Sequence, residues 1–454
     1  MGRTSLGLGK QGYATLIAVA AALGGLLFGY DTSVISGAIL FVRGQFHLTS
    51  VETELAVSIV LAGAALGAAS AGYLGGRFGR KPILVFNAIL FGSFALITGM
   101  AFSLPSFLVA RFFVGVAVGV SSMLTPLYIA ELSPPKIRGA LVTLNGLAIV
   151  TGAAVAFYLD YFFAGSGNWR AMFISAVLPS VVLLLALLFL PESPRWLVAR
   201  QRMEEAFTIL NQVEETEDAH RHIEELKEVT RTDKLRFRDL FTERLKMPLL
   251  IGLGLAVFQQ ITGINTIIYY TPTILHMAGF KTYASAILAS VLVGAVQLVM
   301  TVVALFLVDR VGRKPLLLIG IGGMSIALIH LGYLFGASGV SQVSVLTDVL
   351  VYIACFAVGM APVSWLLVSE IYPTTIRSQA MGLASVTMWL CNLLVSVTFL
   401  SLVGTVGLKF SFWLYAAASI AAFVFSFRFV PETKGRTLEE IETSWAAHFV
   451  SAAR

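Results

Sequence analysis

Gly76-Arg77-Phe78-Gly79-Arg80-Lys81-Pro82 returns late in the chain as Asp309-Arg310-Val311-Gly312-Arg313-Lys314-Pro315. The offset, Arg80 to Arg313, is 233 residues. Two further pairs keep the same order. Glu131-Leu132-Ser133-Pro134 with Ile137-Arg138-Gly139 matches Glu370-Ile371-Tyr372-Pro373 with Ile376-Arg377-Ser378, at an offset of 239 (Glu131 to Glu370). Pro191-Glu192-Ser193-Pro194 matches Pro431-Glu432-Thr433 at an offset of 240 (Glu192 to Glu432). Three motifs in one order at near-constant spacing mark an internal repeat, so the chain reads as two halves.

Each half is made of apolar segments of membrane length. Of 454 residues, 57% are hydrophobic and only 12% charged, with mean hydropathy +0.86; a soluble domain carries about 25% charge. Runs of roughly 20 apolar residues, enough for one bilayer crossing, fall near 13–41, 55–76, 82–101, 106–130, 139–162, 170–190, 248–275, 282–308, 315–336, 343–369, 379–400 and 407–429. The expected fold class is an all-α membrane protein with twelve transmembrane helices in two six-helix bundles. Residues 1–190 form the first bundle, 191–247 a linker, 248–430 the second bundle and 431–454 a tail. The linker carries helical apolar spacing on polar segments, as in Ala206, Phe207 and Leu210, and is expected to form short amphipathic helices at the cytoplasmic face. It has too few apolar residues for a separate catalytic core. A further surface helix is expected over Glu439 to Arg454.

Basic residues set the orientation. Connections after even-numbered segments carry Arg77, Arg80 and Lys81, then Lys136 and Arg138, then Arg310, Arg313 and Lys314, then Arg377, whereas those after odd-numbered segments carry few. The positive-inside rule places the even connections and both termini in the cytoplasm, consistent with Arg3 and Lys10. The first segment is too long for a signal peptide and is read as retained. The net charge of +6 reports this topology and no nucleic-acid partner. Cys355 and Cys391 lie in apolar segments and six scattered histidines show no ligand spacing, so neither a metal nor a cofactor is expected.

Three sets of residues carry chemistry. Asp31 sits inside the first apolar segment, where a carboxylate is expensive and marks a site by default; Arg111, near the start of the fourth, is its natural partner. A buried acid and base on different helices suggest proton coupling, with a purely structural ion pair as the alternative. Gln259-Gln260-Ile261-Thr262-Gly263-Ile264-Asn265 runs through the seventh segment toward Tyr269. Uncharged amides that both donate and accept suit a neutral polyhydroxyl ligand; the alternative is polar glue between helices. Trp365, after Gly359 and Pro362 in a loosened tenth segment, offers a face for a sugar ring. Phe28, Asn145, Gln297, Met388, Trp389 and Asn392 complete the candidate substrate set. The third set is a candidate cytoplasmic gate built from Arg77, Arg80, Glu131, Arg138, Glu192, Arg195, Arg310, Arg313, Glu370, Arg377 and Glu432. Basic loop residues there can pair with acids at neighbouring helix ends, giving a network with two arrangements. Gly63 to Gly67 and Gly115 to Gly119 read as close helix packing.

At these residues, from Gly24-Gly25-Leu26-Leu27-Phe28-Gly29-Tyr30-Asp31 to Pro431-Glu432-Thr433-Lys434-Gly435, the chain resembles the sugar porter family of the major facilitator superfamily, most in pattern its bacterial proton-coupled members. The resemblance implies the major facilitator fold and a central site reached alternately from each side. It implies that Asp31 takes a proton and pairs with Arg111, and that Gln259, Gln260, Asn265 and Trp365 hold sugar. Facilitators of the family often have asparagine at the acid. The chain departs from the family at Gly146, where a glutamine is usual, and at Gln297, Ala361 and Met388. The expected function is proton-coupled symport of a neutral hydroxylated solute, a hexose or pentose first. Proton-independent facilitation, transport of a polyol, cyclitol or modified sugar, and a non-transporting sugar sensor are the alternatives. No nucleophile–base pair accompanies the amides, so an enzyme is not expected. A monomer in lipid, in the cell membrane, is expected.

Overall fold

The computed structural model describes residues 9–231, 240–242, 245–337, 339–372 and 376–435. Arg3, Pro373 and the expected helix over Glu439 to Arg454 lie outside these. Among the described residues every regular element is helical. The first five segments are single helices: α1 Lys10–Phe46, α2 Ser50–Phe78, α3 Arg80–Gly99, α4 Leu104–Leu132 and α5 Arg138–Ala164. The sixth is divided into α6 Trp169–Ile174 and α7 Val177–Phe189. After the linker helices α8 Pro194–Ala199, α9 Met203–Val213 and α10 Thr216–Arg231, the seventh segment is broken into α11 Lys246–Ile261 and α12 Ile264–Met277. α13 Tyr283–Val311 and α14 Arg313–Leu334 follow. The tenth segment consists of α15 Gln342–Cys355, one wide π turn over Phe356–Met360, and α16 Ala361–Ile371. The eleventh and twelfth segments run together as α17 Arg377–Phe429, turned by Gly407 at φ 81°.

Eleven helical stretches among the described residues are apolar and long enough to cross a membrane, and the last, Gln379–Phe429, has the length of two crossings. The sequence placed the final connection at 401–406; these residues are helical, and the reversal falls on Gly407, whose positive φ suits glycine.

Glycines decide how closely these helices approach. A Cβ on Gly63 or Gly67 would lie 2.0 or 2.2 Å from the carbonyl oxygens of Phe112 and Val116, and one on Gly115 or Gly119 would lie 2.0 or 2.1 Å from those of Val60 and Ala64. α2 and α4 therefore touch backbone to backbone along a small-residue seam, as their spacing suggested.

Two compact units emerge from the contacts. The first holds residues 1–34, 59–159 and 168–233; the second holds 35–58, 160–167 and 234–454. The ends of α1, α2 and α5 around the α1–α2 connection thus count with the later helices. They touch them directly: Phe41 meets Tyr283 edge to face at 5.8 Å, and Glu54 accepts from Ser401.

The linker helices share a small core of Leu197, Val198, Ala206, Leu210, Ala219 and Ile223. Apolar residues spaced for one face of each helix suffice once three short helices are pooled. Lys10 at the start of α1 donates to the Glu214 carbonyl at 2.6 Å, and Trp196 and Arg200 donate to the carbonyls of Gly76 and Arg77 at the end of α2. Those carbonyls have no partner within their own helix.

Candidate transport site

In the first unit, Arg111 donates through Nη1 to Asp31 Oδ1. Arg111 is 0% exposed and Asp31 3%. α1 reaches this position by close packing. A Cβ on Gly29 would lie 1.8 Å from the Ile149 carbonyl oxygen, and one on Gly152 would lie 2.0 Å from that of Leu26. Tyr30 then pins α1 to α6 by donating to the Met172 carbonyl at 2.7 Å. The Arg111 guanidinium lies over the Phe173 ring at 5.2 Å, an arrangement that stabilises a cation where water is scarce. Asp31 Oδ2 and Arg111 Nε and Nη2 carry no hydrogen bond among the described residues. A single contact holds two buried charges together, so changing either partner has large electrostatic consequences.

The amide cluster lies in the second unit, at the break in the seventh segment. Gly263, at φ 91°, ends α11, and its missing side chain leaves room for the Tyr415 ring, which a Cβ would approach to 2.8 Å. The freed Thr262 carbonyl accepts from Tyr352 Oη at 3.0 Å. Asn265, on the far side of the break, donates to Gln260 Oε1 at 2.5 Å. Gln259 donates to the Met360 carbonyl at 3.4 Å and so reaches the π turn of the tenth segment. The sequence runs these amides through a single uninterrupted seventh segment. They sit instead around a discontinuity, where backbone and side-chain polar groups can converge on a ligand. π turns favour functional positions for a related reason, because they release backbone groups locally.

Asn392 donates to Tyr269 Oη at 3.2 Å and accepts from Ser396 at 3.0 Å. Trp365 is half-buried on α16, while Trp389 is 1% exposed and packed. Met388 and Gln297 are half-buried, and Gln297 Oε1 has no partner among the described residues. Asn145 and the half-buried Phe28 belong to the first unit. Asn145 Oδ1 has no partner among the described residues either.

The repeated charged motifs assemble twice, once in each unit. Arg80 donates to both oxygens of Glu131 at 2.9 Å, and Ser193 shares Glu131 Oε2 at 2.5 Å. Arg313 donates to Glu370 Oε1 at 3.2 Å, and Thr433 donates to Glu370 Oε2 at 2.5 Å. Glu192 accepts the backbone N–H groups of Arg80 and Lys81 at 3.0 and 3.2 Å; Glu432 accepts those of Arg313 and Lys314 at 3.0 and 3.1 Å. Each glutamate fills the electropositive start of a helix, α3 or α14. Gly79 and Gly312 precede these helices at φ 104° and 102°, and a Cβ on either would collide with the capping glutamate at 2.3 or 2.7 Å.

Burial raises the pKa of Glu432, but N–H groups of Lys434, Arg313, Lys314 and Thr433 outweigh it and hold the carboxyl below the ordinary glutamate range. Arg138 and Arg377 donate to the carbonyls of Ser133 and Tyr372, at 3.4 and 3.3 Å, rather than to an acid. Arg77 bonds Tyr73 Oη at 2.9 Å, Arg310 offers its carbonyl to Lys434, and Arg195 is exposed on α8. Among the described residues none of these five donates a hydrogen bond to a carboxylate, although Arg377 lies within electrostatic reach of Glu370.

Ser193 and Thr433, both in the repeated Pro-Glu motif, and two buried acids, Asp160 and Glu54, are absent from the candidates that the sequence offers. Asp160 on α5 is 0% exposed, and its Oδ2 accepts the Gly37 N–H at 3.1 Å. An acid inside an apolar run was the available signal, as at Asp31.

The chain matches the "Sugar (and other) transporter" family over residues 17–445 and belongs to it. It is 39% identical to the arabinose-proton symporter of Escherichia coli strain K12, covering 94% of this chain and 92% of that protein. It is 38% identical to the D-xylose-proton symporter of the same strain, covering 96% of each. Among solved structures it resembles the xylose transporter XylE from E. coli in a partially occluded inward open conformation, with a TM-score of 0.83, 34% identity, and 94% of this chain and all of that one covered. XylE bound to 6-bromo-6-deoxy-D-glucose matches at a TM-score of 0.81 and 35% identity, covering 95% of this chain and 99% of that one. The fold is that of the major facilitator superfamily, and the chain is an integral membrane transporter rather than an enzyme.

Proposed function

We propose that this chain carries a monosaccharide together with a proton across the cell membrane by alternating access. The buried Asp31–Arg111 pair carries this reading. One hydrogen bond joins the charges, and Asp31 Oδ2 is unbonded among the described residues. A proton on Asp31 leaves Arg111 without its counter-charge, so proton binding and helix movement are energetically linked. The names of its arabinose-proton and D-xylose-proton relatives support the same class. Sugar is held mainly by Gln259, Gln260, Asn265 and Trp365. The arginine–carboxylate networks at the ends of α2 to α4 and α13 to α16 serve as the cytoplasmic gate. Both termini face the cytoplasm, as the basic connections indicate, and the working unit is a monomer in lipid.

Sugar-dependent alkalinisation outside protein-filled vesicles is the test. Asp31→Asn is expected to abolish accumulation against a gradient and the proton signal while leaving sugar exchange. Wild-type uptake indifferent to an imposed pH gradient, with Asp31→Asn still accumulating, overturns proton coupling. In the same vesicles Gln260→Ala is expected to weaken sugar binding by about five- to a hundred-fold, the effect of a lost buried hydrogen bond of about 1–3 kcal/mol.

One observation favours a bulkier or less hydroxylated sugar as a second reading. Around Gly146 on α5, nothing lies within 4 Å of where a Cβ would stand. Gly146→Gln fills that space with an amide. Under this reading it shifts preference toward unmodified pentoses and hexoses in a competition panel; an unchanged panel sets the reading aside.

A further inference from the structure

Glu54 lies in the second turn of α2, buried to 1% exposure. Both its oxygens are used by one residue of a distant element. Oε1 accepts the backbone N–H of Ser401 and Oε2 its hydroxyl, each at 2.6 Å. Such short contacts to a carboxylate belong to the stronger class of hydrogen bond. Among the described residues no basic side chain pairs with Glu54, so these two donors carry the burden of its burial. The phenols of Tyr270 and Tyr415 are its titratable neighbours. Close by, Phe41 stands edge to face on Tyr283, and Tyr283 on His276 at 5.1 Å. All of these residues belong to the second compact unit.

Glu54 comes from the first sequence repeat and Ser401 from the second. Glu54 stands near the start of α2, whose other end leads into the Arg80 network, and Ser401 stands shortly before the Gly407 turn of α17, a helix that starts at Arg377. We propose that the Glu54–Ser401 contact is a latch holding the non-cytoplasmic side shut, and that Glu54 is a positioning residue of the transport cycle. The proposal rests on alternating access: a site opened away from the cytoplasm requires α2 and α17 to part there. A carboxylate is suited to that task. In the shut state two convergent donors satisfy it, and in the open state water does, so neither state leaves it unpaired. An apolar contact would instead expose its surface on every opening.

The test places a single thiol at the latch edge, Tyr283→Cys in a Cys355→Ser, Cys391→Ser background, and measures its labelling from outside by a membrane-impermeant maleimide. Adding Glu54→Ala is expected to raise the labelling rate about ten-fold, as the loss of two charged hydrogen bonds shifts the population toward the open form. Glu54→Gln keeps one acceptor and is expected to fall between. Ser401→Ala keeps the backbone donor, gives a smaller rise, and serves if Glu54→Ala fails to fold. In transport, the Glu54 variants are expected to change the maximal rate more than the sugar KM, because the binding residues are untouched. Labelling rates equal to the parent in folded Glu54→Gln and Ser401→Ala proteins overturn the latch. Labelling is read without sugar or proton flux, so a parent that labels as expected yet moves no sugar refutes the transport reading instead.

Discussion

In the first unit Arg80 grips Glu131 through two hydrogen bonds at 2.9 Å, whereas in the second Arg313 reaches Glu370 through one at 3.2 Å. Both arginine side chains are about equally buried, at 13% and 14% exposure, but Glu131 is 5% exposed and Glu370 27%. One difference between the repeats bears directly on the arginine. Asp309 stands where the first repeat has Gly76, and Arg313 spends Nη1 on Asp309 and on the Val308 carbonyl. The corresponding Arg80 Nη1 goes to the Gly75 carbonyl alone, which leaves Nε and Nη2 aligned on the carboxylate. The repeat therefore keeps the residue types and varies the grip. The first network braces its helix ends, and the second has partners to exchange.

Removing the arginines tests this asymmetry most severely. Arg80→Ala strands a buried Glu131 and is expected to lower stability by about 3 kcal/mol. Arg313→Ala leaves a partly hydrated Glu370 and is expected to lower it by about 1 kcal/mol. Thermal unfolding in detergent ranks the two, and equal losses would end the distinction.

The hydroxyls that share each glutamate come next. Ser193 is fully buried and also caps α8 by accepting the Trp196 N–H, so Ser193→Ala is expected to lose about 2 kcal/mol. Thr433→Ala, which removes a hydroxyl that among the described residues bonds Glu370 alone, is expected to lose about 1 kcal/mol in the same assay.

A gain is expected at Asp309. Asp309→Ala removes the competitor and is expected to strengthen the coupling between Arg313 and Glu370 by about 0.5 kcal/mol, read from a double-mutant cycle in both backgrounds. Unchanged coupling would mean that the weaker grip has another origin.

The smallest effect concerns pH. The folded-state pKa of Glu432 is depressed, so its carboxylate contributes stability that is fully present above the ordinary value of 4.5 and is lost as pH falls below it. The difference in melting temperature between wild type and Glu432→Gln is expected to be constant near neutrality and to shrink below about pH 4.5. A difference that grows on acidification would contradict the assigned direction.

How far the sequence could be read depended on whether burial and pairing could be inferred without geometry. Asp31 and Arg111 could be joined because two opposite charges in apolar segments have few alternatives. Glu131 and Glu370 could be joined to their arginines because the repeat presented the same set twice. Glu54 escaped because it lies at the edge of an apolar segment, where a glutamate normally meets water; its partner, Ser401, is 347 residues away and has no unusual sequence context. The break at Gly263 escaped because the apolar run passes through it, and only the approach of Tyr415 and Tyr352 makes the bend consistent with packing.

By itself the sequence determined the class of the molecule. Hydropathy fixes where the chain must be helical, since lipid satisfies no backbone group. The spacing of the motifs sets the two-fold repeat. The tertiary structure decided which polar atoms meet: that Asn265 reaches Gln260 across a broken helix, that Ser193 and Thr433 complete the glutamate networks, and that Glu54 closes on Ser401. Such contacts depend on ångström-scale approach between segments far apart in the chain, and local preference carries no information at that range.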